Sequence, residues 1–171
     1  MVEDQEPEAE SRYRALFDNT IDGVAYCEMI YDEQEKLIDW VYIEVNKNFE
    51  NLSGLKDVLG KKITEIIPAF RTSHPELFDL HGRVAMGGES VRFETHVEEL
   101  ERWFLVTIFC PKKGYTVDVF QNITERKTME AELIKRNEDL ETLNKSMLDR
   151  ELKMVELKKE NEELRKKIGT V

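Results

Sequence analysis

The chain has 171 residues, of which 40% are hydrophobic and 36% charged, a composition typical of a water-soluble protein with one globular domain and an extension. No stretch approaches the roughly 18 consecutive apolar residues of a membrane-spanning helix, and the acidic residues 1–10 lack the basic and apolar segments of a secretory signal. The net charge of −11 belongs to residues 1–124, whereas residues 125–171 carry 12 basic and 12 acidic side chains. An acidic domain repels phosphate backbones, so we expect no nucleic-acid partner. The missing apolar stretch and the missing secretory signal predict no membrane insertion and a cytoplasmic location.

The first part of the chain is predicted to form a helix, two strands and several short helices. Residues 8–20 form an amphipathic pattern, because Tyr13, Leu16 and Phe17 share one helix face. Strand-like runs over residues 24–31 and 37–45, separated by a short polar segment, predict an antiparallel hairpin. Short helices are then predicted over residues 47–52, 63–67 and 75–86.

Three further strands, predicted over residues 90–97, 102–110 and 115–121, complete the globular part. The turn Pro111-Lys112-Lys113-Gly114 joins the last two as a hairpin. The run 103–110 is apolar on both alternating faces, so the sheet should be covered on both sides. One side should face the domain core, and the other should be covered by the N-terminal helix, a second subunit, or both. The predicted fold class is α+β with a five-stranded antiparallel sheet.

The last 45 residues carry a seven-residue repeat typical of a coiled coil. Of the 13 seam positions between Arg126 and Ile168, nine are apolar. Asn161 at a first seam position favours two parallel helices in register. Arg136 and Arg150 interrupt the seam, and Leu148, Leu152 and Val155 form a second apolar stripe beside it, which predicts a weak middle. The predicted dimer seam comprises Met129, Leu133, Leu140, Leu143, Met147, Met154, Leu157, Asn161, Leu164 and Ile168.

An ordered set of short segments carries a family resemblance. The segments are Tyr13-Arg14-Ala15-Leu16-Phe17-Asp18-Asn19, Asp22-Gly23, Glu44-Val45-Asn46-Lys47-Asn48-Phe49-Glu50, Gly60-Lys61 and Asn122-Ile123-Thr124-Glu125-Arg126-Lys127. Over residues 11–127 the chain resembles a PAS domain, the sensory module of bacterial and archaeal signalling proteins such as sensor histidine kinases. The resemblance implies an acidic tail (1–10), a PAS fold with short central helices and an N-terminal flanking helix (11–124), and a C-terminal coiled-coil helix (125–171).

The same resemblance implies a pocket between the sheet and the central helices, in which a small molecule can bind. Among its candidates, Arg92 would meet an anionic ligand, although the aromatic residues are also explained as core filling. The candidate lining residues are Tyr26, Asn46, Phe49, Phe78, Arg92, Trp103 and Thr107.

Haem and flavin are not predicted, and no metal site is expected. Relatives that bind flavin carry a reactive cysteine in the helical middle, whereas Cys27 and Cys110 lie in strand-like runs and are interpreted as reduced, buried thiols. Relatives that bind haem carry a histidine on the helix before the third strand. His74 and His81 lie in or beside that helix, and we interpret them as surface or capping residues.

The signalling exit is predicted at Asn122, Thr124, Glu125 and Arg126. The family usually has Asp at the position of Asn122, paired with the arginine at the position of Arg126. Asn122 can cap the following helix, with Glu125 completing a capping box, but it cannot form a full ion pair with Arg126.

No catalytic residue is predicted, because the chain lacks a P-loop, a nucleophile elbow and a zinc-protease motif, and residues 125–171 contain no histidine to accept a phosphate. The predicted function is a sensory and dimerisation module that relays a ligand or partner signal through a parallel homodimeric coiled coil to a histidine kinase or other effector. The alternative is an adaptor that senses nothing and docks partners through its coiled coil.

Overall fold

The computed structural model describes residues 5–168, with side chains from residue 8 to residue 166. The chain divides into two compact units, one ending at Glu125 and the other beginning at Arg126. The elements in chain order are α1 (Gln5–Asn19), β1 (Gly23–Tyr31), β2 (Leu37–Val45), α2 (Lys47–Ser53), α3 (Ile63–Ile66), α4 (Phe70–Ser73), α5 (Pro75–Ala85), β3 (Val91–Val97), a 3₁₀ turn (Glu98–Leu100), β4 (Arg102–Phe109), β5 (Tyr115–Asn122) and α6 (Thr124–Ile168).

The five strands form one antiparallel sheet in the order β2-β1-β5-β4-β3. The predicted fold class and both predicted hairpins, β1–β2 and β4–β5, are therefore confirmed. Because β5 returns to pair with β1, the first and last strands lie at the centre of the sheet. The strand that directly precedes the long C-terminal helix is thus held by a neighbour on each side.

The hydrophobic core lies between one face of the sheet and helices α2 to α5. Alternation along each strand places every second side chain on this face, as with Ala25, Cys27 and Met29 of β1, which are all buried. The helices contribute short apolar stripes over this layer, and large rings fill most of the space. The rings at the centre of the core are Trp40, Phe49, Phe70, Phe78, Phe104 and Phe120.

The other face of the sheet is covered less than the sequence predicted. Leu105, Val117 and Val119 on its central strands are only half-buried. Helix α1 packs mainly against α2, and its Tyr13 hydroxyl donates to the carboxylate of Glu44, 3.2 Å away, at the rim of the sheet. In the single chain, the N-terminal helix therefore provides only part of the predicted cover. Helix α1 also begins at Gln5, inside the segment predicted as an acidic tail; residues 1–4 of that tail lie outside the described residues.

Candidate functional site

A cavity of about 100 Å³ lies between the sheet and the short helices. Apolar and aromatic side chains form most of its walls, and the other lining residues are Ser53, His81, Thr95 and Asp118. A cavity of this volume holds several water-sized groups. An apolar enclosure with a few convergent polar groups is the usual form of a small-molecule site in a protein.

Phe120 of β5 stands in the wall of this cavity between two other rings. Its ring contacts Phe49 of α2 and Phe104 of β4 edge to face, with centroid separations of 5.5 Å in both cases. Edge-to-face contacts are the favoured geometry of aromatic pairs. A displacement of the Phe120 ring therefore changes the packing of α2, β4 and β5 together.

His81 and Asp118 form a buried pair that joins α5 to β5. The Nε2 atom of His81 lies 3.0 Å from Oδ2 of Asp118, and its Nδ1 atom lies 2.7 Å from the carbonyl oxygen of Leu77. Trp40 stacks on the imidazole with a centroid separation of 4.6 Å and an interplanar angle of 13°. Both ring nitrogens and one ring face are thus engaged, which fixes the orientation of the imidazole.

The protonation of this pair follows from its partners. Burial lowers the pKa of His81, but the charge of Asp118 and the hydrogen bonds to Asp118 and Leu77 raise it more, so the pKa lies above the usual 6.5. Burial also raises the pKa of Tyr42, which lines the cavity, and this phenol remains neutral. Apart from the His81–Asp118 pair, no described residue that lines the cavity carries a charge at neutral pH.

The predicted signalling exit is connected directly to α2. The side-chain amide of Asn122 donates to the carbonyl oxygen of Leu52 at 3.2 Å, and Arg102 donates to the same oxygen at 2.8 Å. The Oδ1 atom of Asn122 accepts from the backbone N–H and the hydroxyl of Thr124, at 3.1 and 2.7 Å. Asn122 therefore caps the start of α6, as predicted, and also holds the C-terminal end of α2.

The capping box predicted with Glu125 is not among the hydrogen bonds of the described residues, where Asn122 forms its capping contact with Thr124 instead. Arg126 donates to Glu130 at 2.6 Å, one turn further along α6. This contact gives the arginine a carboxylate partner in place of the family's usual aspartate.

Most of the predicted pocket residues lie elsewhere. Phe49 lines the cavity, and Phe78 packs on Trp40 in the core. Asn46 is buried, but its side chain bonds Phe17, Asp22 and Val24 rather than facing the cavity or capping α2. The remaining four candidates, assigned to the wrong face of the sheet, are Tyr26, Arg92, Trp103 and Thr107.

The predicted role of Arg92 in binding an anion is wrong, because this side chain is exposed on the face of β3 opposite the cavity. His74 and His81 were interpreted as surface or capping residues; the surface location is wrong, since both are 5% exposed, whereas His74 does occupy the N-cap position of α5, without a side-chain capping bond. Asp118 was missed. The sequence carries no clear signal for it, because Val117 and Val119 make the opposite face of β5 the more apolar one.

In the second unit, α6 exposes the side chains of the predicted seam. From Met129 to Leu164 the apolar seam residues are between 50% and 65% exposed in the single chain. The second stripe, Leu148, Leu152 and Val155, is exposed to a similar extent. The side chain of Ile168 lies outside the part of the chain that the structure describes.

Across residues 5–168, no helix combines the length and hydropathy needed to cross a membrane. The described residues also contain no group of three or more His, Cys, Asp or Glu side chains arranged to hold a metal ion. Cys27 is buried on β1 and Cys110 is half-buried after β4, both as free thiols.

The family model of the PAS domain matches residues 11–85. Among solved structures, the chain is similar to a domain of an HTR-like protein from Haloarcula marismortui ATCC 43049, with 14% identity, a TM-score of 0.44, and coverage of 61% of this chain and 100% of that one. It is also similar to a domain of the sensory box sensor histidine kinase/response regulator from Geobacter sulfurreducens, with 19% identity, a TM-score of 0.40, and coverage of 66% and 93%. No curated protein matches the sequence significantly. Residues 11–85 therefore match the PAS domain family, and the five-stranded antiparallel sheet agrees with the fold predicted for such a domain.

Proposed function

We propose that this protein is the sensory and dimerisation module of a signal-transduction system, which binds a small molecule in its PAS cavity and passes the signal along a paired α6 helix. The match of residues 11–85 to the PAS domain family supports the assignment to signal transduction. The ligand, the pairing of α6 and the relay between them are the new parts of the proposal. Each is supported below by a separate observation.

The observation that carries the relay is the double role of α2. Its Phe49 and Ser53 line the cavity, while the carbonyl oxygen of Leu52, between them, binds the side chain of Asn122. Asn122 in turn caps the first turn of α6. A ligand that moves α2 therefore changes a hydrogen bond at the origin of the long helix, with no further element between them.

The seam of α6 favours a second copy of this chain as its partner. A stripe with apolar residues every three and four positions along 45 residues buries itself best against an identical stripe in parallel register. In that arrangement Glu160 of one helix lies opposite Arg165 of the other, and the helix has no net charge that would repel its copy. Asn161 in the seam disfavours antiparallel and shifted pairings, because two buried amides bond each other only in register.

The middle of α6 is the segment in which the two paired helices can change their arrangement. Arg136 and Arg150 occupy seam positions, Lys153 and Lys158 repel across a parallel pair, and Leu148, Leu152 and Val155 offer a second apolar stripe. Two arrangements of the helices of similar free energy are what a relay requires, since a ligand shifts only an equilibrium between states that differ in affinity. The output is a histidine kinase or another effector that reads the state of the pair.

A haem or flavin ligand is disfavoured by the geometry of the cavity. Both ring nitrogens of His81 are engaged, and Cys27 and Cys110 lie on or beside strands rather than on the cavity helices. The alternative function, an adaptor that docks partners without sensing, would need neither the cavity nor the bond between Leu52 and Asn122. We propose no catalytic residue.

Disulfide cross-linking between two copies tests the proposal. Met147→Cys on the seam and Leu148→Cys on the second stripe are oxidised separately, with Lys145→Cys as an outward-facing control and the parent chain as the blank for Cys27 and Cys110. We expect Met147→Cys to cross-link far faster than Lys145→Cys. In the presence of the additional change Asn122→Ala, the ratio of cross-linking at Met147→Cys to that at Leu148→Cys should shift. An unchanged ratio would reject the relay, and equal rates at all three positions would reject the parallel pair.

A further inference from the structure

Two of the residues that line the cavity, Asp118 and Trp40, each have a buried polar atom whose hydrogen-bonding capacity is unused among the described residues; on Trp40 it is Nε1. Oδ1 of Asp118 is buried and has no hydrogen-bond partner among the described residues, although Oδ2 of the same carboxyl group binds His81 at 3.0 Å. Asp118 itself lines the cavity. A buried acceptor without a donor is unfavourable, so such an atom is expected to receive a hydrogen bond when the site is filled.

The charge of the pair limits what the donor can be. A carbonyl oxygen only accepts, so Nδ1 of His81 must carry the proton that it donates to Leu77. One further proton then lies between Nε2 and Oδ2. With these two protons the pair is electrically neutral overall. The cavity therefore presents a strong acceptor, but no net charge.

We propose that the cavity binds a small, uncharged, mostly apolar molecule that donates one hydrogen bond, through a hydroxyl or N–H group, to Oδ1 of Asp118. This inference rests on the proposed function and names the ligand class for its cavity. The apolar walls formed by Phe49, Phe104 and Phe120 take the body of the molecule. A volume of about 100 Å³ suits a molecule of roughly six to eight non-hydrogen atoms.

Charged ligands of the same size are excluded by the same groups. An anion would bring its charge against the carboxylate of Asp118, and no lysine or arginine among the described residues lines the cavity. A cation would find Asp118, the one carboxylate that lines the cavity in the described part of the chain, already neutralised by His81, and it would lose its hydration without a new counter-charge. The cavity therefore selects ligands by their lack of net charge as well as by their shape.

The ligand contact also falls on the strand that leads to the exit. Asp118, Phe120 and Asn122 occupy alternate positions of β5, and all three lie on the helix-facing side of the sheet. A hydrogen bond to Asp118 and a contact with Phe120 would be made within four residues of the cap of α6. Strand β5 therefore contacts the proposed ligand and also positions the start of α6.

The test uses phenol as the probe, toluene as a probe of equal size without a donor, benzoate as an anion and benzylammonium as a cation. Calorimetry on the whole chain should show that phenol binds at millimolar concentration and that both charged probes bind at least tenfold more weakly. Asp118→Asn keeps a bond to His81, through its amide, but makes Oδ1 a neutral acceptor. The ratio of phenol to toluene affinity should fall roughly fivefold to tenfold in this variant. The exposed Asp79→Asn on α5 is the matched control and should leave the ratio unchanged.

A measurement on the unmodified chain keeps the test decisive if Asp118→Asn does not fold. The carbon resonance of the Asp118 carboxyl group should shift with phenol and not with toluene. The inference is overturned if phenol does not bind, if a charged probe binds more tightly than phenol, if that resonance responds equally to both neutral probes, or if a folded Asp118→Asn keeps the wild-type ratio. A cross-linking ratio at Met147 and Leu148 that still responds to Asn122→Ala would then show that the relay stands with a different ligand class.

Discussion

The side-chain amide of Asn122 lies 3.2 Å from the carbonyl oxygen of Leu52, and this one contact joins the last residue of the sheet to the end of a helix that lines the cavity. The same side chain accepts a hydrogen bond from the backbone N–H of Thr124. An aspartate at this position would keep the second contact and lose the first, because a carboxylate has no N–H to donate. The asparagine therefore gives this chain a neutral connection between the cavity and α6.

Asn122→Ala should lower the free energy of unfolding of the globular unit by about 2 kcal/mol. Roughly half of this comes from the lost cap and half from the lost bond to Leu52. Urea unfolding followed by tryptophan fluorescence measures the change. Asn51→Ala, at an exposed position of α2, is the control and should cost less than about 0.5 kcal/mol. Equal effects of the two substitutions would show that the contact contributes nothing specific.

The His81–Asp118 pair should make stability depend on pH near neutrality. The pKa of His81 is raised above 6.5 in the folded protein, so the stability that the pair supplies is complete below the unfolded value and is lost as the pH rises through the folded one. We therefore expect the melting temperature to fall as the pH rises above about 6.5. Asp118→Asn removes the charge that raises the pKa of His81, so this fall should flatten. A profile with the same slope in both proteins would contradict the assignment of the shared proton.

Thr116→Val should stabilise the protein by about 1 kcal/mol. The hydroxyl of Thr116 is fully buried on β5 and has no hydrogen-bond partner among the described residues, so valine replaces it with a methyl group of nearly the same shape. Thr64→Val is the matched opposite case, because the hydroxyl of Thr64 donates to Asp39 and its removal should destabilise by about 1–3 kcal/mol. Chemical denaturation of both variants measures these changes in stability. A loss of stability in Thr116→Val would mean that the hydroxyl of Thr116 has a hydrogen-bond partner in solution.

Gly23→Ala should displace Phe120 from the cavity wall. A Cβ atom at Gly23 would lie 2.4 Å from the ring of Phe120, which is closer than any real contact. The ring has to move toward the cavity, so we expect a loss of about 1–3 kcal/mol in stability and weaker binding of phenol. The double variant Gly23→Ala, Phe120→Leu removes the clash. It should recover part of the loss caused by Gly23→Ala, a non-additive result that a double-mutant cycle measures. Strict additivity would show that the two sites do not meet.

The strands and helices were largely predictable because each strand alternates and each short helix ends at glycine or proline, as at Gly54 and Gly87. Helix α4 was missed because four residues carry no periodic pattern. The wrong face was chosen for Trp103 and Thr107 since β4 is apolar on both faces, and alternation alone does not say which one faces the helices.

The central pair of the cavity was not predictable from the sequence pattern alone. His81 and Asp118 are 37 residues apart and meet only because β5 lies beside β1 and β4, under α5. Residue alternation in β5 favours Val117 and Val119 as the core residues, so the pattern predicts neither the burial of Asp118 nor its partner. The seam of α6, in contrast, follows directly from the seven-residue repeat, and its pairing with a second copy stays a prediction.

Sedimentation equilibrium of the whole chain tests the central claim most directly, because both the relay and its output require two copies joined through α6. We predict a species of twice the chain mass of 20.1 kDa at micromolar concentration. Leu143→Glu on the seam should convert it to single chains, and Lys145→Glu on the outward face should not. A mass of 20.1 kDa at every concentration, or the same mass for both variants, would contradict the account.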